Sequence, residues 1–164
     1  MKTQAKPMTG QIDREHFLDS LFAILDETFE SHHGIYLDED TSLFQTLETV
    51  SAEEASIPVG GKCASLAAQV AHVTFYLEVL ERYIFLGDAG NVDWGEIWRT
   101  FEKVTPEEWE GLKSNLEQTY RRINQELHKL EAWDGEDKIG GAMAIVVHTA
   151  YHLGEIRQAL CTLK

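Results

Sequence analysis

The sequence predicts an all-α protein, a four-helix bundle with long irregular connections between helices 1 and 2 and between helices 2 and 3. Three observations predict it. Four long stretches carry apolar residues at spacings of three and four, the period of a helix with one buried face. Alternating Val/Ile/Thr runs of strand type are lacking, as are internal repeats and low-complexity tracts. Only 3 prolines interrupt 164 residues, of which 43% are apolar, so the chain can build one domain around a hydrophobic core.

Met1 to Gln11 reads as a short flexible arm, leaving 12–164 as the single bundle domain. Asp13 is placed to cap a first helix whose apolar positions Phe17, Leu18, Leu21, Phe22, Leu25 and Phe29 share a face. His32-His33-Gly34 reads as its last turn and stop, where imidazoles suit the dipole and glycine ends the helix. His16 has no partner at useful spacing. Ile35 to Gly61 is a long connection with short helical pieces: Ser42 precedes Leu43, Phe44, Leu47 and Val50, and Ser51-Ala-Glu-Glu54 is a capping box ahead of Pro58.

The second long helix is expected from Lys62 to Leu86, with Leu66, Val70, Val73, Leu77, Leu80 and Ile84 as its seam. His72 is one step off that seam, with Gln69 and Tyr76 above and below it. Gly87 to Thr105 carries Asp93-Trp-Gly-Glu-Ile-Trp98, in which Trp94 and Trp98 stand one turn apart. That aromatic pair either packs on the bundle or lines a substrate pocket.

Thr105-Pro106-Glu107-Glu108 is the strongest helix start in the chain, an N-cap with proline at N1 and glutamate at N3. The seam that follows is Trp109, Leu112, Leu116, Tyr120, Ile123, Leu127 and Leu130, with His128 beside it as a solvated residue. A Gly/Asp-rich turn from Asp134 to Gly141 leads to a last helix, Gly140 to Leu163. Its core set is Ile145 or Val146, Thr149, Leu153, Ile156 and Leu160.

Within that last helix lies the chemistry. His148 and His152 are one turn apart at the edge of the buried face, and Glu155 falls between and below them. One histidine from the second helix and an i, i+4 pair from the fourth can converge in a bundle interior on a divalent ion, leaving a coordination position open. The plain alternative is that the histidines complete a polar edge. Glu155 is a candidate to orient an imidazole, to act as an acid or base, or to form a salt bridge. Imidazole suits zinc, nickel, copper and iron alike, so spacing does not choose the metal.

Charge narrows the partners. With 28 acidic residues against 14 basic ones, the formal charge is -14, which repels phosphate backbones and anionic membranes. Small molecules and other proteins remain. No apolar run reaches the length of a spanning helix, and Met1 to Gly10 lacks the apolar centre of a secretory signal, so a soluble cytoplasmic protein is expected. Cys63 and Cys161 lie far apart without CxxC spacing and read as a reduced, buried pair.

Three segments together resemble the DinB/YfiT-like family of bacterial four-helix proteins. They are Ser65-Leu-Ala-Ala-Gln-Val-Ala-His72 with Tyr76, Asp93-Trp-Gly-Glu-Ile-Trp98, and His148-Thr-Ala-Tyr-His152-Leu-Gly-Glu-Ile-Arg-Gln158. The resemblance spans nearly the whole chain from the first helix onward and is most specific in the last. It implies a four-helix bundle holding a divalent ion, zinc or nickel, through His72, His148 and His152, and a homodimer. It also implies a metal-dependent transferase or hydrolase acting on a small molecule, in some members with a low-molecular-weight thiol such as bacillithiol or mycothiol. Tyr76, Trp94, Trp98 and Tyr151 would then line the substrate pocket. The rival is a non-catalytic dimeric bundle whose metal site is weak, vestigial or used for sensing.

Overall fold

The computed structural model describes residues 12–59, 63–88, 90–93, 95 and 103–163, and among these the chain is all-helical, with six helices and no strand. The order is α1 (Arg14–Phe29), α2 (Leu43–Glu48), α3 (Ala52–Ala55), α4 (Leu66–Leu86), α5 (Pro106–His128) and α6 (Glu136–Leu163). No described helix is long and apolar enough to cross a membrane.

Local chemistry sets most boundaries. Asp13 accepts from the His16 N–H at the head of α1, and Ser65 accepts from the Ala68 N–H at the head of α4. Both predicted capping boxes close, Ser51 with Glu54 and Thr105 with Glu108, satisfying otherwise orphaned backbone donors. At the end of α4 the chain must turn left-handed, which Gly87 does at φ 70°.

The central helix is α4, 13 of whose 21 residues are buried. Against it pack α5 and α6, while α1 packs on α6. All six predicted seam residues of α4 are in the core, joined there by Trp109, Leu116, Tyr120, Ile123 and Leu127 of α5 and Ile145, Leu153, Ile156 and Leu160 of α6. Trp109 also donates its indole N–H to the Val50 carbonyl at 2.7 Å, tying α5 to the segment between α2 and α3. Ile84 faces Gly141 and His72 faces His148, so α4 and α6 run antiparallel.

Three expectations are corrected. Helix α1 stops at Phe29, so His32, His33 and Gly34 lie beyond it rather than in its last turn. The reason is Glu27: its fully buried carboxylate accepts from the backbone N–H groups of His33, Ile35, Tyr36 and Leu37 at 3.0–3.3 Å, which draws these residues into a loop. Helix α6 begins at Glu136, so Gly140 and Gly141 are helical and only Gly135, at φ 85°, makes the turn. Finally, Cys63 and Cys161 are both exposed, not buried. Cys161 is on the outer face of α6, and Cys63 precedes the cap of α4.

Gly141 explains why α6 starts early without a stop at its glycines. A Cβ there would stand 2.4 Å from Ile84 Cγ1 and 3.0 Å from Cδ1, so the absent side chain lets α4 and α6 approach closely. At Gly140, a Cβ would meet nothing within 4 Å.

Candidate metal centre

The close approach of α4 and α6 brings three imidazoles together. His72 comes from α4, and His148 and His152 from successive turns of α6; one ligand nitrogen from each lies within 4.8 Å of the others. His72 and His152 are buried, and His148 is half-buried. The Nε2 atoms of His72 and His148 are 3.2 Å apart. Two nitrogens bound to one tetrahedral ion at roughly 2.0–2.1 Å stand about 3.3 Å from each other, so that pair already has ligand spacing.

The surroundings fix how each ring stands. Tyr76, one turn after His72 on α4, stacks face to face on His148 with ring centroids 3.5 Å apart and planes 8° off parallel. On α6, the Glu155 carboxylate lies 2.9 Å from His152 Nδ1. It also accepts from the Tyr151 hydroxyl, which is first among the causes that raise the phenol above its ordinary range, ahead of the carboxylate's negative charge. A carboxylate on Nδ1–H selects the tautomer whose Nε2 lone pair is available to an ion.

Burial also decides the protonation state. It pushes His72 down to about 4, helped by the nearby His152 and opposed by Glu155. His148 is pushed down to about 3 by burial and by the fields of His152 and His72. His152 is lowered by burial despite the opposing charge and hydrogen bond of Glu155. Near neutral pH all three are uncharged, the form that binds metal. His148 Nδ1 is buried without a hydrogen-bond partner among the described residues, a polar capacity left unmet. The donor set therefore fits a divalent ion, and its nitrogens do not specify which one.

Of the other sequence candidates, Tyr76 and Tyr151 border this cluster, whereas Trp94 and Trp98 lie outside the described residues. Asp93, expected to cap a turn there, accepts from the Gly95 N–H at 2.9 Å. His128 is solvent-exposed as expected, but its ring stacks on Phe22 at 3.7 Å. What spacing did not reveal was the parallel stacking of Tyr76 on His148; position 76, one turn from His72, was the available signal. No protein-family model, curated protein or solved structure matches the chain.

Proposed function

We propose that the chain is a divalent-metal-dependent enzyme of the DinB/YfiT-like class, a four-helix bundle of α1, α4, α5 and α6. In it His72, His148 and His152 hold zinc or nickel, and the substrate is a small molecule. The observation that carries this reading is the convergence of three buried or half-buried neutral imidazoles from two helices, with a carboxylate on the outer nitrogen of one. When bound, the ion supplies a Lewis acid that makes a coordinated water or low-molecular-weight thiol nucleophilic near neutral pH.

The chain's own side chains hold and orient. Glu155 keeps the His152 tautomer, Tyr76 holds the His148 ring plane, and the packed α4–α6 seam keeps water from the inner side of the cluster. Tyr76 and Tyr151 border the outer side and suit an apolar or aromatic part of a substrate. The charge of -14 favours small molecules over nucleic acid or an anionic membrane. A homodimer fits the outer face of α6, where Met143, Val147 and Tyr151 are exposed.

The test is metal-dependent turnover. Protein loaded with zinc or nickel is assayed against small electrophiles with and without a low-molecular-weight thiol, and against hydrolysable esters and amides. Turnover that requires the ion and disappears in His152→Ala is expected; equal turnover by that variant would exclude this site. One observation favours the rival, a non-catalytic bundle: the 3.2 Å contact between His72 and His148 is also an ordinary hydrogen-bond distance.

A further inference from the structure

A second site lies on the opposite edge of α6 from the histidines. There α6 and the segment from Leu37 to Thr49 border two adjoining open cavities of about 430 and 330 Å³, which share Arg157 as a common wall. The larger has a mostly apolar lining that also carries Asp40, Thr46, Thr49 and Arg157, with Arg157 touching the Thr46 hydroxyl. Leu37 and Leu153 give the smaller one an apolar wall.

The two charges lining the larger cavity, Asp40 and Arg157, are uncommitted. Arg157 is half-buried, yet its single hydrogen bond is a 3.4 Å contact from Nη1 to the Thr46 hydroxyl, and it makes no ion pair among the described residues. By contrast, Arg122 is bidentate to Glu81, and Arg121 pairs with Glu117. In a chain with twice as many acids as bases, a half-buried guanidinium without a carboxylate has fork-shaped donor capacity to spare. Asp40, on the same cavity wall, makes neither an ion pair nor a hydrogen bond among the described residues, and so is not paired with Arg157. The site thus carries one cation and one anion on the lining of a single groove, with an apolar recess adjoining it.

We propose that this groove binds a free α-amino acid with an apolar side chain. Its carboxylate is received by Arg157, its ammonium by Asp40, and its side chain by the recess at Leu37 and Leu153, while the Thr46 and Thr49 hydroxyls, which donate to the carbonyls of Thr41 and Thr46, only line the carboxylate's end. A zwitterion suits the groove better than a phosphate or dicarboxylate, because the field of a chain carrying -14 repels net anions and leaves a neutral dipolar ligand unopposed. Both cavities exceed the volume of a leucine or phenylalanine side chain. This site is independent of the metal centre, since Arg157 reaches toward α2 whereas the histidines face α4.

The test is titration calorimetry of the full chain with L-leucine, beside 3-methylbutylamine, which lacks the carboxylate, and 4-methylpentanoate, which lacks the ammonium. Saturable binding of leucine is expected, with each analogue at least about tenfold weaker. Asp40→Asn and Arg157→Gln should each weaken leucine by a similar factor. Because Asp40 is exposed and holds nothing in the fold, Asp40→Asn keeps the test decisive even if Arg157→Gln loosens α2 from α6. Absence of saturable heat up to about 10 mM leucine would overturn the proposal. So would 4-methylpentanoate binding as tightly as leucine, or leucine affinity unchanged in Asp40→Asn.

Discussion

Replacing Gly141 by alanine adds one methyl group at the closest point between α4 and α6. In an exposed helix interior the same change would stabilise by about 1 kcal/mol, through helix propensity. Here the new Cβ falls 2.4 Å from Ile84 Cγ1, well inside van der Waals contact, and Cγ1 is the branch nearest the backbone rather than a flexible tip. Overpacking of this kind costs roughly 1–3 kcal/mol. The net expectation is a loss of about 0–2 kcal/mol, or a melting temperature lower by up to several degrees for a chain of this size. Gly140→Ala, one residue away with open space around it, should gain about 1 kcal/mol instead.

The consequence reaches the site. Gly141 lies on the same face of α6 as His148, two turns earlier, so prying the helices apart there moves His148 and His152 away from His72. Zinc affinity should therefore fall in Gly141→Ala and not in Gly140→Ala. Chemical denaturation of both variants, with a zinc titration, checks this. Adding Ile84→Ala to Gly141→Ala should recover part of the loss, a favourable coupling of about 1 kcal/mol or more. If Gly141→Ala proves as stable as Gly140→Ala, the close approach is not what brings the histidines together.

Other perturbations follow the same logic. Glu27→Ala leaves four backbone N–H groups without their acceptor, and should cost about 3 kcal/mol with faster hydrogen exchange at residues 33–37. Burial alone would raise the Glu27 carboxyl, but those N–H donors outweigh it and hold the group below its ordinary range. Its stabilisation is therefore present above the unfolded value and lost as pH falls through the lower folded one. For the metal-free site the sign is the same: histidines held at about 4 and about 3 bind protons less readily folded than unfolded. Stability should fall as pH drops from about 6.5 toward 4, and His148→Phe should flatten that part of the profile. Glu155→Gln should weaken zinc binding by roughly 10- to 100-fold without lowering the melting temperature of the metal-free protein, since the carboxylate acts through the His152 tautomer.

Much of this molecule was legible because helical periodicity reports burial directly. The seams of α4 and α5 and the two capping boxes are local patterns, and local rules place them. So is the i, i+4 pair His148 and His152. His72 required one further step, its position beside a seam, and the structure sets it against that pair. What stayed hidden depends on contacts distant in sequence. Nothing near Glu27 says that a charged residue will be buried, because its partners are backbone donors of a loop not yet placed. Gly140-Gly141 reads as a turn until Ile84, far back in the chain, gives Gly141 a reason to be helical. The cysteines were misplaced for a related reason, since a small apolar residue near a helix end is assigned to a face only by what packs there.

Metal content per chain tests the three-histidine centre most directly. Tag-free protein purified without chelator, then exposed to zinc or nickel and desalted, is measured by elemental analysis beside the His148→Ala/His152→Ala double variant. Near-stoichiometric metal in the wild type and none in the variant is the expected result. A wild type that retains no metal, with a melting temperature unmoved by either ion, would contradict the metal centre and leave the three imidazoles as a hydrogen-bonded polar edge between α4 and α6.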